Sequence, residues 1–139
     1  MATYGVSQDV IPGNLTVQGN LLQTSIVDNI VAKAGGAQQT TGVSVIPAST
    51  CLFRVITVAS AADSVTLPSC VNSQVGDEII VRNDAAANSM NVFPALGDTI
   101  NILSANAAFA VAAGKSCSFI CTSVTATTGA GRWITMLSA

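Results

Sequence analysis

Residues 107–122 read Ala107-Ala108-Phe109-Ala110-Val111-Ala112-Ala113-Gly114-Lys115-Ser116-Cys117-Ser118-Phe119-Ile120-Cys121-Thr122. The run Ala107–Val111 meets the run Ser116–Thr122 across Ala112-Ala113-Gly114-Lys115, which reads as strand, turn, strand. This is the most apolar part of the chain, yet Gly114, Lys115, Ser116 and Ser118 interrupt residues 105–121. It therefore lacks the about 20 lipid-compatible residues of a membrane-spanning helix. Gly114-Lys115-Ser116 has the ending of a phosphate-binding loop, but Phe109 occupies the place of the earlier glycine and a strand follows. That match is accidental.

The same punctuation runs outward in both directions. Val43-Ser44-Val45-Ile46 stops at Pro47, and Cys51 to Val58 is an apolar and β-branched run broken only by Arg54. Ser64-Val65-Thr66-Leu67 stops at Pro68, and Val75-Gly76-Asp77 turns into Glu78–Arg82. Met90–Phe93 ends at Pro94, Gly97-Asp98 turns into Thr99–Ile102, and Arg132–Leu137 follows Gly129-Ala130-Gly131. Short strands every 8–12 residues or so, with no segment repeating at 3.6, predict an all-β fold. The expected form is an antiparallel β-sandwich or barrel, jelly-roll-like, over residues 43–139. Short turns make the final three strands an antiparallel meander. Phe109, Phe119 and Trp133 are its expected core, each burial contributing roughly 1.5–3 kcal/mol.

Residues 1–42 differ, being rich in Gln, Asn, Thr and Gly. Gly13-Asn14-Leu15-Thr16-Val17-Gln18 is followed by Gly19-Asn20-Leu21-Leu22-Gln23-Thr24, a near-repeat of six residues. Each Gly-Asn can turn the chain, and Leu15 and Val17 alternate with polar neighbours as in a half-buried strand. Two copies cannot bury a core without neighbours. This part is expected to be an extended N-terminal arm with short strands. Its apolar anchors on another surface or a neighbouring subunit would be Ile11, Leu15, Val17, Leu21 and Leu22. Asp28–Ala34, closed by Gly35-Gly36, reads as one or two helical turns.

Composition narrows function. Of 139 residues, 50% are apolar and only 9% charged, with five Lys+Arg, seven Asp+Glu and no His. Five scattered cations make no phosphate-neutralising face, so nucleic acid is not an expected partner. A near-neutral surface of Ser, Thr, Asn, Gln and Ala favours association with other chains. The start, Met1-Ala2-Thr3-Tyr4-Gly5, lacks the basic and apolar regions of a secretory signal. A soluble protein made in the cytoplasm, with no membrane partner, is expected.

Chemistry finds little footing. Asp77 and Glu78 are neighbours, and on a strand neighbours point to opposite faces. Asp77, Asp84 and Asp98 each stand beside Gly or Asn and read as turn formers. Nucleophiles have no histidine to activate them, and Gly-x-Ser-x-Gly does not occur. The four cysteines are Cys51, Cys70, Cys117 and Cys121. Cys117 and Cys121 would share a strand face about 13 Å apart, beyond the reach of a disulfide. The cysteines read as small buried hydrophobes. Tyr4 and Trp133 are the only polar aromatics able to stack on a sugar, and Trp133 reads as core. No enzyme activity, cofactor or metal is expected.

A family resemblance rests on particular pieces. These are Ser64-Val65-Thr66-Leu67-Pro68, Val75–Asn83, Met90-Asn91-Val92-Phe93-Pro94-Ala95, Gly97-Asp98-Thr99-Ile100-Asn101, Ala112–Ser116, Phe119–Thr122 and Gly131-Arg132-Trp133. In their order, residues 63–137 resemble a domain of tailed-phage virion proteins, and the Gly-Asn-Leu units are similar to fibre and spike segments that wind as trimers. With too little chain for a long shaft, the resemblance implies a capsid decoration (cement) protein. It would bind the outside of a phage head as an oligomer, a homotrimer, and stabilise the shell. Its partners would be the major capsid protein and copies of itself, on the virion surface after synthesis in the host bacterial cytoplasm. The alternative it implies is a short tail fibre, spike or neck component binding host glycan or another virion protein. Neither reading carries catalytic residues.

The arm gives the first prediction. A variant lacking residues 1–24 should fold but lose occupancy on phage heads, measured by densitometry of purified particles. Full occupancy by that variant rules the arm out as the anchor.

Overall fold

The computed structural model describes residues 26–32, 36–124 and 131–137. Its strands are β1 (Ile26–Val31), β2 (Leu52–Thr57), β3 (Ser64–Thr66), β4 (Glu78–Asn83) and β5 (Met90–Phe93), then β6 (Thr99–Ile100), β7 (Phe109–Val111), β8 (Ser116–Ser123) and β9 (Arg132–Leu137). One 3-10 turn, Cys70–Asn72, lies between β3 and β4. The all-β expectation is borne out, as two sheets rather than a closed barrel. Six strands are ordered β1-β2-β4-β8-β9-β6, and three are ordered β3-β5-β7.

The sheets are mixed, not wholly antiparallel. β1 runs parallel to β2, β2 to β4, β6 to β9 and β3 to β5, while β4–β8, β8–β9 and β5–β7 are antiparallel. A parallel neighbour needs a crossover rather than a tight turn. Here the crossovers carry the chain from one sheet to the other, as when β3 intervenes between β2 and β4.

The expected meander is the main correction. β8 and β9 do pair, but β7 belongs to the other sheet, where Val111 lies opposite Met90 and Phe109 opposite Val92. Both sides of β8 are already occupied, by β4 and β9. The turn at 112–115 is therefore a corner between sheets. Gly114 takes φ +73°, and its N–H donates to Asn83 O at 2.8 Å, while Asn83 N–H donates to Lys115 O at 3.0 Å. The end of β4 fills the place a hairpin would have given to β7.

Three smaller corrections follow. Asp28–Val31 lies in β1 and not in a helical turn, hydrogen-bonded beside β2. Val43–Ile46 forms no strand: Gly42 turns at φ +100°, Pro47 ends the run, and only a parallel bridge between Val45 and Thr66 remains. β6 stops at Ile100, because Asn101 adopts φ +54° and bends the chain away.

Alternation explains the core. In β4 the inward residues are Ile79, Val81 and Asn83; in β8 they are Cys117, Phe119 and Cys121. Val65, Met90, Val92 and Val111 meet them from the smaller sheet in one hydrophobic cluster. Trp133, Phe53 and Phe119 are its largest fully buried side chains. Phe109, expected there, is half-buried at the rim and packs edge-to-face on Phe119, ring centroids 6.1 Å apart at 88°. All of β3 is buried because residues 37–39 cover its edge, Ser64 Oγ donating to Ala37 O (2.8 Å) and Gln39 N–H to Thr66 Oγ1 (2.9 Å).

Trp133 has no hydrogen-bond partner for Nε1 among the described residues, so only its bulk contributes. Trp133→Ala should cost about 3–5 kcal/mol in urea denaturation, whereas Trp133→Phe should cost clearly less. Truncation after Thr128 removes β9 and should leave no cooperative unfolding transition by circular dichroism. A folded truncation product contradicts this.

Candidate interaction surface

The outward positions of the six-stranded sheet form rows across its strands. In the first, Leu52 lies opposite Ile80, Ile80 opposite Ser118 and Ser118 opposite Met136. In the next, Glu78 lies opposite Ile120 and Ile120 opposite Ile134. Ile80 is 38% exposed, Ile134 39% and Met136 58%. These β-branched and long side chains suit a pleated sheet, but here they face away from the core. The result is an apolar patch on the outer face of the sheet. The sequence pattern obscured it, since such runs also suit strands buried on both faces.

Charge flanks the patch. Arg54 lies opposite Arg82 in the third row, and Asp84 holds both: Arg54 Nε–H donates to Oδ2 at 2.7 Å and Arg82 Nε–H to Oδ1 at 3.1 Å. Arg82 Nη1 also donates to Ser116 Oγ at 3.2 Å. These bonds, Arg54's first, hold the Asp84 carboxyl below the usual carboxylate range. Asp84, read as a turn former, is thus the centre of an ion-pair triad. At the other end Ser118 Oγ donates to Glu78 Oε1.

The remaining acidic residues are structural. Asp77 accepts from Gln74 N–H at 2.7 Å, as expected of a turn. Asp98 does more than turn the chain. It is 1% exposed, and its carboxylate accepts from Cys70 N–H and Gly131 N–H, both at 3.0 Å. Asn83 is similar: its side chain donates to Val111 O (2.9 Å) and Asn88 O (3.0 Å) and accepts from Ala85 N–H (3.2 Å). Sequence reasoning missed both as buried ties, because Asn and Asp beside a turn look the same whether their partners are near or far in sequence.

Burial pushes the Cys117 thiol up to about 11, against a hydrogen bond to Thr135 that lowers it. Burial likewise raises Cys70, with the Asp98 charge adding to it, and Cys121. Such thiols are neutral at pH 7 and poor nucleophiles. A groove of about 360 Å³ opens between Gln39, Val45, Pro47, Leu67, Asn72 and Leu96. Its lining has hydroxyls and amides but no ionisable side chain, so it holds no acid–base pair. Among the described residues no three of Cys, Asp and Glu are grouped to bind a metal, and no helix is long and apolar enough to cross a membrane. Ile11, Leu15, Val17, Leu21 and Leu22, the expected arm anchors, and Tyr4 lie outside the described residues. Trp133 is fully buried and offers no face to a sugar. Comparison with protein-family models, curated proteins and solved structures finds no match.

Two predictions follow from the charges. Asp98→Ala leaves two buried N–H donors unpaired and should cost about 3 kcal/mol in chemical denaturation. The depressed Asp84 carboxyl stabilises the fold above the ordinary carboxylate range, and that contribution disappears as pH falls through its lower folded value. The stability gap between wild type and Asp84→Asn should therefore be present at pH 7 and close as the pH falls below the ordinary carboxylate range. It should also narrow with salt. A gap that widens on acidification would falsify the triad.

Proposed function

We propose that this chain is a structural virion protein without enzymatic activity, a decoration protein that binds the outside of a phage head as a homotrimer and stabilises the shell. The observation that carries this reading is the apolar outer face of the six-stranded sheet. A water-facing sheet normally alternates apolar inside with polar outside, and Ile80, Ile120, Ile134 and Met136 break that rule side by side. An exposed apolar patch is characteristic of a surface that other chains cover. The scarcity of charge on the whole chain points the same way, since a nearly neutral exterior does little to keep copies apart.

Size adds to the argument. An interface of ordinary strength buries about 800 Å² per partner, more than the patch alone supplies. Residues 3–24 of the expected arm add reach at about 3.3 Å per residue and can pair with a strand of the shell by β-augmentation. The role is to add buried area across joints between capsid subunits. The tail or neck alternative, with a glycan ligand, has less support, because its one aromatic candidate among the described residues is buried.

Sedimentation equilibrium tests the reading. The full chain should run at three times its 14.0 kDa mass, and Ile80→Lys with Ile134→Lys should shift it toward monomer without loss of β-structure by circular dichroism. Wild-type protein should saturate heads of its phage lacking the endogenous copy. A chain that stays monomeric and leaves such heads bare refutes the proposal.

A further inference from the structure

The outer face of the six-stranded sheet has a direction as well as an apolar centre. Along β4 the outward side chains are Glu78, Ile80 and Arg82, in that order. Four residues on a strand set the two charges about 13 Å apart. At the Arg82 end, Arg54 lies opposite Arg82 and Asp84 pairs with both, so two guanidinium groups stand against one carboxylate. Lys115, next to Ser116, the β8 partner of Arg82, adds a further cation. At the Glu78 end, Asp77 is its neighbour in sequence, and Arg132 lies on β9 beyond Ile134. There two carboxylates stand against one guanidinium. The face is thus positive at one end of β4, negative at the other and apolar between them. When copies of one chain cover one another around an axis, that polarity decides how their strands run. Strands running along a three-fold axis would bring equal heights together, Glu78 on Glu78 and Arg82 on Arg82. Like charges so placed oppose association. With the strands across the axis, the leading end of each sheet meets the trailing end of the next.

We propose that the outer face is covered by two further copies of this chain, with β4 of each copy lying across a three-fold axis. Ile80 of every copy then meets the others at the centre, and the Arg54–Arg82 end of each sheet lies against Glu78 of the next copy. The arrangement rests on the homotrimer reading above and adds the direction in which its subunits join. The contact is head-to-tail, and a head-to-tail contact whose rotation closes gives a ring rather than a filament. The dimensions suit it. β4 has six residues, a length of about 20 Å, and a triangle with sides of that length has its centre about 6 Å from each side. Packed sheets stand about 10 Å apart, so half that spacing, one layer of side chains, fills most of this distance. The charged ends are held ready for the contact: Asp84 accepts from both Arg54 and Arg82, and Ser118 Oγ donates to Glu78 Oε1.

Cysteine crosslinking of the full chain tests this, with Cys51→Ser removing the one native cysteine that is not buried. Positions 78 and 82 share a strand face but lie too far apart to join within one chain. After oxidation with diamide, a chain carrying both Glu78→Cys and Arg82→Cys should run as a covalent trimer on a non-reducing gel. Neither substitution alone should link copies. Ile80→Cys alone should give covalent dimers, since a thiol at the axis can bond only one of its two neighbours. Separately, Glu78→Lys, its fold checked by circular dichroism, should raise the concentration at which trimers dissociate about tenfold at low salt. That effect should shrink as salt is added. Links from the single variant at 78 or at 82 overturn the proposal, because equal positions would then meet. So does a double variant that stops at dimers, or a Glu78→Lys trimer as tight as wild type. Wild-type sedimentation at three times the monomer mass would in each case leave the homotrimer standing, so the two readings fail separately.

Discussion

The Asp98 carboxylate is the contact on which the closing end of the larger sheet depends. It lies in the turn before β6, a two-residue strand that among the described residues pairs only with β9. Two N–H groups bond to it, one from the 3-10 turn at Cys70 and one from Gly131 at the entrance to β9. Three segments far apart in sequence thus share one buried anion. Bonds from N–H to a charged acceptor are worth about twice neutral ones, and here each oxygen has its own donor. Beside it, Asn101 Nδ2 donates to Thr135 Oγ1 at 2.8 Å and Thr135 N–H donates back to Asn101 Oδ1 at 2.9 Å. The short β6 is therefore held by side chains that copy a ladder as well as by two backbone bonds, Thr99 N–H to Gly131 O and Asn101 N–H to Trp133 O.

Asn83 plays the corresponding part at the opposite crossing. Where β4 ends, the chain running out of β7 must change sheets, and changing sheets exposes backbone groups that no strand satisfies. Asn83 supplies both kinds of group and is fully buried. The local pattern that placed β2, β4, β5 and β8 in the sequence was alternation bounded by Gly, Pro and Asp, and it placed them well. It carried no information on which strand would lie beside which. The antiparallel meander was inferred from a short turn. Whether a four-residue turn makes a hairpin or a corner depends on whether the next strand's edges are taken, and β8 has β4 and β9 on its two sides. Val43–Ile46 failed for a different reason: a glycine turn and a proline leave too few residues for more than one bridge.

The outer face was hidden for a related cause. Ile79, Ile80 and Val81 are consecutive and apolar, so composition does not tell which of them faces water. Pairing does: Ile80 stands opposite Ser118, while Ile79 stands opposite Phe119. Polarity on one strand thus reveals the facing of its neighbour, but only once the register is known. The same register separates three carboxylates with one sequence signature. Asp77 closes a turn, Asp84 bridges two guanidinium groups on the outside, and Asp98 is enclosed.

The order of strands also constrains how the molecule is completed. β9 follows every other described strand in sequence yet lies inside the sheet, between β8 and β6. Until it arrives, β8 presents a free edge, β6 has no partner in the sheet, and Asp98 lacks one of its two donors. Trp133, the largest buried side chain, also comes with it. Gly131 and Trp133, which come with it, close the core beside Cys70 and opposite Cys121. The strand that carries the largest buried side chain is thus also the one that completes the interior of the larger sheet.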